Sequence, residues 1–260
     1  SISGGYLFLP PLTEFNLPFV PAMDKVSIPN LSVLLILVLV MQQRVRLWPR
    51  SFLARFLSAG LVLCAIPTVL TNTDPITFEV LRGAEPIVFL IDQLPGQSLR
   101  DIGSVLIAQI LTLVPFLLAR QFLASEDGLR EILLAYMAGA LIYSIPALVE
   151  VRLSPQINVW VYGFFQHSFE QMMRGDGFRP IVFLPHALWV ALFICSGLLA
   201  AAALSRSVAP LERWKVLVAV GYLLVVLVLC KSLASLAYGI ALTPVILLLP
   251  ARWIIRLAAL

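Results

Sequence analysis

Two arginines and a histidine in one segment are the side chains best suited to chemistry in this sequence. Arg174 and Arg179 flank a turn that contains Gly175 and Gly177, and His186 follows within an apolar run. The planar guanidinium group matches phosphate oxygens bidentately, so two arginines near a membrane surface are suited to gripping a diphosphate. Arginines that extend towards lipid headgroups would give the same pattern.

Two ionisable residues, His186 and Lys231, interrupt apolar runs. His186 lies about two turns inside the run 181–205, where an ionisable side chain is costly and suggests function. A neutral histidine that hydrogen-bonds across a helix interface is the alternative.

Lys231 stands between the runs 216–230 and 233–250. It marks either a tight outer turn or a charge held within the bundle, and a buried cation there would need an anionic partner from the protein or a substrate.

The segment 159–173 has the 3.6-residue period of an amphipathic helix. Its polar side is formed by His167, Gln171 and Arg174, with Glu170 beside them, and its apolar side by Val161, Phe165, Phe169 and Met172. We predict a helix lying in the membrane interface, with the phenylalanines facing lipid or protein and the polar side facing an aqueous cavity. A simple interfacial anchor would show the same pattern.

Glu150 and Arg152 lie near the end of another apolar run, in ALVEVRLSP. They are expected to pair with each other or with the outer loop that follows, in a structural role.

The three cysteines lie inside apolar runs without metal-ligand spacing, and no glycine-rich phosphate loop or nucleophile elbow is present. The sequence therefore predicts neither a metal nor a cofactor.

The elements that must position these residues are membrane helices. Hydrophobic residues make up 60% of the chain and charged residues 12%, with a mean hydropathy of +0.97, whereas soluble domains carry about 25% charged residues. Between Ile181 and Ser205 the only ionisable side chain is His186, and Val216–Cys230 has none. The net charge of +4 is assigned to basic residues at helix ends and not to nucleic-acid binding.

These runs predict an all-α, polytopic integral membrane protein of about seven transmembrane helices plus the outer interfacial helix. We expect one transmembrane domain over 1–260. Residues 1–11 resemble the last part of a membrane helix, and residues 253–260 resemble the first part of another. We therefore expect the chain to be the N-terminal part of a longer protein. The predicted spans are 28–43, 53–71, 101–119, 131–149, 181–205, 216–230 and 233–250.

Basic residues and loop lengths predict the orientation. More of the 18 lysines and arginines lie in the short connections between predicted spans than in the long ones. This distribution favours the cytoplasm as the side on which the short connections lie. The long stretches 72–100 and 150–180 then lie outside, on the periplasmic side in a bacterium.

Four stretches resemble the N-terminal part of bacterial O-antigen ligase-like and exopolysaccharide polymerase-like membrane proteins. The specific one is LVEVRLSPQINVWVYGFFQHSFEQMMRGDGFRPIVFLPHAL; the others are YLFLPPLTEFNLPFVPAMDK, LLARQF and CKSLASLAYGIALTPVILLLPARW. The resemblance implies an inner-membrane glycosyltransferase that moves or joins sugar chains carried on undecaprenyl diphosphate, at the periplasmic face and without a metal.

The resemblance also implies roles for individual residues. In the family, outer-face arginines hold the lipid diphosphate. Arg179 in GDGFRP matches that position best, Arg174 matches less well, His186 would support them, and Lys231 sits where the family often has a Ser-Arg-Ser-type element.

The family's base is a histidine in a large periplasmic loop of the later half, which has no counterpart in these 260 residues. His167 is the candidate base only if this chain differs from its relatives. The alternative to an enzyme is a non-catalytic membrane subunit that packs against a larger membrane complex.

Overall fold

The computed structural model describes residues 2–15, 22–84 and 87–258. The chain divides into two compact units: unit 1 comprises 1–13 and 119–260, and unit 2 comprises 14–118. The division into two units does not test whether 1–260 forms a single transmembrane domain, which stays a prediction.

Most of the described chain is helical, in agreement with the all-α class. The helices are α1 (Ile2–Phe8), α2 (Ser27–Leu35, continued by a π-helical turn Ile36–Val40), α3 (Phe52–Leu63), α4 (Ala65–Thr71), α5 (Asp101–Phe122), α6 (Glu126–Leu153), α7 (Ile157–Tyr162), α8 (Ala187–Leu204), α9 (Pro210–Leu229), α10 (Leu233–Leu248) and α11 (Ala251–Ala258). Two antiparallel hairpins accompany them, β1 (Ile76–Ala84) with β2 (Ile87–Leu94), and β3 (Met173–Arg174) with β4 (Gly177–Phe178).

Four helical segments of the described chain are long and apolar enough to cross a membrane: Phe52–Thr71, Asp101–Phe122, Glu126–Leu153 and Ala187–Leu204. The prediction of about seven was wrong in number. The apolar helices Ser27–Val40 and Leu233–Leu248 are shorter than the roughly 20 residues that cross the hydrocarbon. Helix α9 has 20 residues, but its first turns carry Glu212, Arg213 and Lys215.

The predicted interfacial helix over 159–173 was also wrong. Helix α7 ends at Tyr162 because Gly163 adopts the left-handed conformation, with φ of 82°, which commonly terminates helices. The chain then continues irregularly to a 3-10 turn at Phe169–Met172. The predicted span 181–205 is likewise shorter, since α8 begins only at Ala187, after a loop.

Unit 1 is built around α8, whose residues are the most buried of the four candidate spans. It packs against α6, α9 and α10. Gly197 of α8 lies so close to Ala140 of α6 that a Cβ atom there would overlap the alanine methyl. A Cβ atom at Gly239 of α10 would lie 2.6 Å from Leu227 of α9. Small residues therefore allow these helices to approach closely, as is usual in membrane bundles.

Unit 2 contains a hydrogen bond that compensates for a proline. Pro115 lies within α5 and cannot donate to the carbonyl of Leu111, four residues earlier. The side-chain amide of Asn30, from α2, donates to that carbonyl at 3.1 Å. Asn30 is buried, and the apolar contacts of Leu111 and Val114 with α2 surround it. The amide thus supplies the donor that the helix itself lacks.

We expect Asn30→Ala to destabilise the protein by about 1–3 kcal/mol, since it leaves a buried carbonyl without its donor. Pro115→Ala restores the backbone N–H, so in that background the cost of Asn30→Ala should fall by about 1 kcal/mol or more. Unfolding free energies of the four proteins in mixed micelles test this coupling. Equal costs of Asn30→Ala in both backgrounds would contradict it.

Candidate functional site

A buried carboxylate at the end of α6 organises the loops around the site. Glu150 is fully buried, and its Oε2 accepts hydrogen bonds from the backbone N–H groups of Ile181 at 2.8 Å and Val182 at 2.7 Å. Its Oε1 accepts from the N–H of Ile157 at 3.0 Å. Of the two partners considered for Glu150, the structure shows the segments that follow α6 and not Arg152.

The loop 181–184 is held by further hydrogen bonds. The phenol oxygen of Tyr143 accepts from the N–H of Phe183 at 3.1 Å, and Nε2 of Gln166 donates to the carbonyls of Val182 and Leu184. Val182 has φ of +51°, a conformation that is unfavourable for a β-branched residue. These hydrogen bonds, with those of Glu150, stabilise it and fix the loop.

The β3–β4 hairpin precedes this loop, with Arg174 in β3 and Arg179 directly after β4. Gly175 has φ of +55° in its turn, and the N–H of Arg179 donates to the carbonyl of Met172 at 2.8 Å. Beneath the hairpin, Met172 and Ile181 form a buried apolar cluster with Ala187. Arg179 is thereby fixed between the hairpin and the loop that Glu150 holds.

A pocket of about 610 Å³ lies where the hairpin, the start of α8 and the α9–α10 turn meet. All four residues predicted to bind substrate line it. The lining comprises Glu170, Gln171, Met173, Arg174, Arg179, His186, Leu188, Lys231, Ser232, Leu233 and Ala234. Three cations therefore face one carboxylate, and the pocket favours an anion.

Lys231 occupies the turn between α9 and α10. It has φ of +50°, its side chain is exposed, and its Nζ donates to the carbonyl of Arg174 at 2.8 Å. Of the two interpretations of Lys231, the structure shows the tight turn. The lysine also ties the helix turn to the hairpin across the pocket.

Arg179 is the cation that most needs a ligand. Its side chain is only 4% exposed, and its Nε has no hydrogen-bond partner in the described parts of the chain. Burial lowers the pKa of Arg179, and the nearby charge of Arg174 lowers it further, although a guanidinium group stays protonated in proteins. A buried guanidinium with an unsatisfied donor is costly, so an anion bound here would offset that cost.

The two histidines lie against each other. The rings of His167 and His186 are 4.6 Å apart and nearly perpendicular. The Nδ1 of His167 accepts from the N–H of Ser168, and that of His186 accepts from the N–H of Leu188. Since Nδ1 is the acceptor in both rings, the proton of each neutral ring is at Nε2. Burial lowers the pKa of His186, and His167 and Arg179 lower it further, which favours the neutral ring.

The predicted division into polar and apolar sides is seen only in part. Gln171 and Arg174 line the pocket, while Phe165 packs on the apolar cluster below and contacts Phe169. His167 is not part of the lining itself and reaches the site through His186.

Several residues at the site escaped prediction. Ser232, Leu233 and Ala234 line the pocket, and a serine directly before an apolar helix is a start signal that could have indicated them. Nothing in the sequence pattern joins Glu150 to a loop some 30 residues later.

No protein-family model, curated protein or solved structure matches the chain. Within 2–15, 22–84 and 87–258, no three His, Cys, Asp or Glu side chains are grouped so as to hold a metal ion. What the pocket offers is hydrogen-bond donors and positive charge.

We expect Glu150→Ala to destabilise the protein by roughly 3 kcal/mol or more, because it leaves three backbone N–H groups without their acceptor. The matched control is Glu131→Ala, on the same helix but exposed, which should change stability by less than about 0.5 kcal/mol. Unfolding in mixed micelles measures both. Equal stability of the two variants would show that the carboxylate does not hold the loops.

Proposed function

We propose that this protein is a membrane glycosyltransferase of the O-antigen ligase-like or exopolysaccharide polymerase-like kind. It would transfer or polymerise sugar chains carried on undecaprenyl diphosphate at the periplasmic face of the bacterial inner membrane. The observation that supports this most is the pocket in which the buried Arg179, with its unpartnered Nε, lies beside Arg174 and Lys231.

The pocket suits the diphosphate of a lipid-linked sugar. It lies at the starts of the apolar helices α8 and α10, and the ends of membrane helices are where a lipid would carry its phosphates. Its volume of about 610 Å³ falls in the usual range for small-molecule sites. A diphosphate would complete the hydrogen bonds of Arg179 and neutralise the surplus of cations.

In the transfer step, an acceptor hydroxyl oxygen forms a bond to the anomeric carbon as the bond from that carbon to the diphosphate oxygen breaks. Arg174, Arg179 and Lys231 would stabilise the charge that develops on the departing diphosphate. The acceptor's proton must pass to a base. Glu170 is the carboxylate that lines the pocket, and it can take that proton.

The second candidate function is a non-catalytic membrane subunit that holds the lipid-linked glycan for a larger complex. The histidine geometry favours it over an enzyme that uses His167 as its base, since the Nδ1 atoms of His167 and His186 are both engaged as acceptors. Each ring then presents an N–H at Nε2 and no free lone pair, so His167 is poorly placed as the general base. A protein that binds the lipid-linked glycan without transferring it would support the non-catalytic subunit over the glycosyltransferase.

Arg179→Ala should weaken binding of undecaprenyl-diphosphate sugar roughly ten- to a hundred-fold, because it removes a charge-assisted hydrogen bond. Arg179→Lys should impair binding nearly as much, since lysine lacks the planar fork. The control is Arg152→Ala, which removes an exposed arginine outside the pocket lining. Binding and glycan transfer are measured on the full-length protein. Normal binding and transfer by Arg179→Ala would show that Arg179 only contacts headgroups.

The orientation is tested at Ser168, which is exposed. In a Cys64→Ser background, which removes the exposed native cysteine, Ser168→Cys should react with a membrane-impermeant maleimide added from the periplasmic side. Labelling from the cytoplasmic side alone would reverse the proposed topology.

A further inference from the structure

The amino-terminal end of α10 opens into the same pocket as Arg179. Ser232, Leu233 and Ala234 all line it. The side chain of Ser232 does not cap the helix and donates to the hydroxyl of Ser235 instead. The first backbone N–H of this helix with an acceptor is that of Leu236, which donates to the carbonyl of Ser232. The N–H groups of Leu233 and Ala234 therefore have no acceptor in the described chain.

A helix end of this kind attracts anions. Helix α10 has 16 residues, and the aligned peptide dipoles give its amino terminus a partial positive charge. A helix end is not by itself a binding site. Here a second feature indicates a ligand independently, namely the guanidinium of Arg179, which is 4% exposed and has an unpartnered Nε.

We propose that the free N–H groups of Leu233 and Ala234 bind the same phosphate group as Arg179. This inference rests on the proposed function and deepens it, since it assigns one phosphate of the lipid-linked diphosphate to a helix terminus. The bond from Lys231 to the carbonyl of Arg174 holds the start of α10 next to the hairpin.

The direct test removes one N–H group without changing any charge. Leu233→Pro deletes the donor, and Leu233→Ala removes the same side chain but keeps the donor, so the two variants form the comparison. Proline fits here because Ser232 is extended, with φ of −113° and ψ of 102°, and Leu233 is exposed. Helix α9 already begins with a proline, Pro210.

The probe is inorganic pyrophosphate, titrated into the full-length protein in detergent. Leu233→Pro should bind it about tenfold more weakly than Leu233→Ala, the usual effect of losing one hydrogen bond to a charged group. Hydrogen–deuterium exchange of the wild-type protein gives a second readout that does not depend on a variant folding. Pyrophosphate should slow exchange in peptides that cover 232–236.

The outcomes separate this inference from the proposed function. If both Leu233 variants bind alike and exchange at 232–236 is unchanged, while Arg179→Ala still weakens binding, the helix-terminus site is wrong and the arginine site stands. If Leu233→Pro does not fold, the exchange result alone decides. If the wild-type protein binds neither pyrophosphate nor undecaprenyl diphosphate, the inference and the proposed function both fail.

Discussion

The carboxylate of Glu150 accepts hydrogen bonds from three backbone N–H groups, one at the start of α7 and two in the loop 181–184, and no described lysine or arginine forms an ion pair with it. Successive peptide N–H groups that converge on an anion neutralise it without a counter-charge. Because α6 holds this carboxylate rigidly, the loop 181–184 is tied to the bundle and Val182 is kept in an unfavourable conformation. The positions of Arg179 before this loop and His186 after it follow from that anchorage.

The same arrangement explains why the pocket remains cationic. The carboxylate that contacts this loop is occupied by backbone N–H groups, and Arg179, two residues before Ile181, forms no ion pair within the described chain. Had Glu150 paired with Arg179, the pocket would lose one of its three unneutralised cations. Since backbone N–H groups solvate the acid, the guanidinium has no carboxylate counter-ion, which is the preorganisation that the proposed binding of a diphosphate requires.

The sequence predicted what depends on local composition. The spans at 101–119 and 131–149 correspond to helices Asp101–Phe122 and Glu126–Leu153, because long apolar runs have few alternatives to a membrane helix. It failed where short-range periodicity competes with backbone geometry, as at Gly163, which ends the predicted interfacial helix. The site was partly accessible, since unusual charges pointed to Arg179 and Lys231. The hydrogen bonds that hold the loop 181–184 were not, because the side chains that form them lie up to 40 residues away in sequence and leave no periodic pattern.

The most direct measurement is a cryo-electron microscopy map of the full-length protein in nanodiscs with saturating undecaprenyl diphosphate. The account predicts diphosphate density in the pocket between the β3–β4 hairpin and the start of α10, with one phosphate within hydrogen-bonding distance of the guanidinium of Arg179. An empty pocket, or a diphosphate bound elsewhere while Arg179 contacts only lipid headgroups, would contradict it.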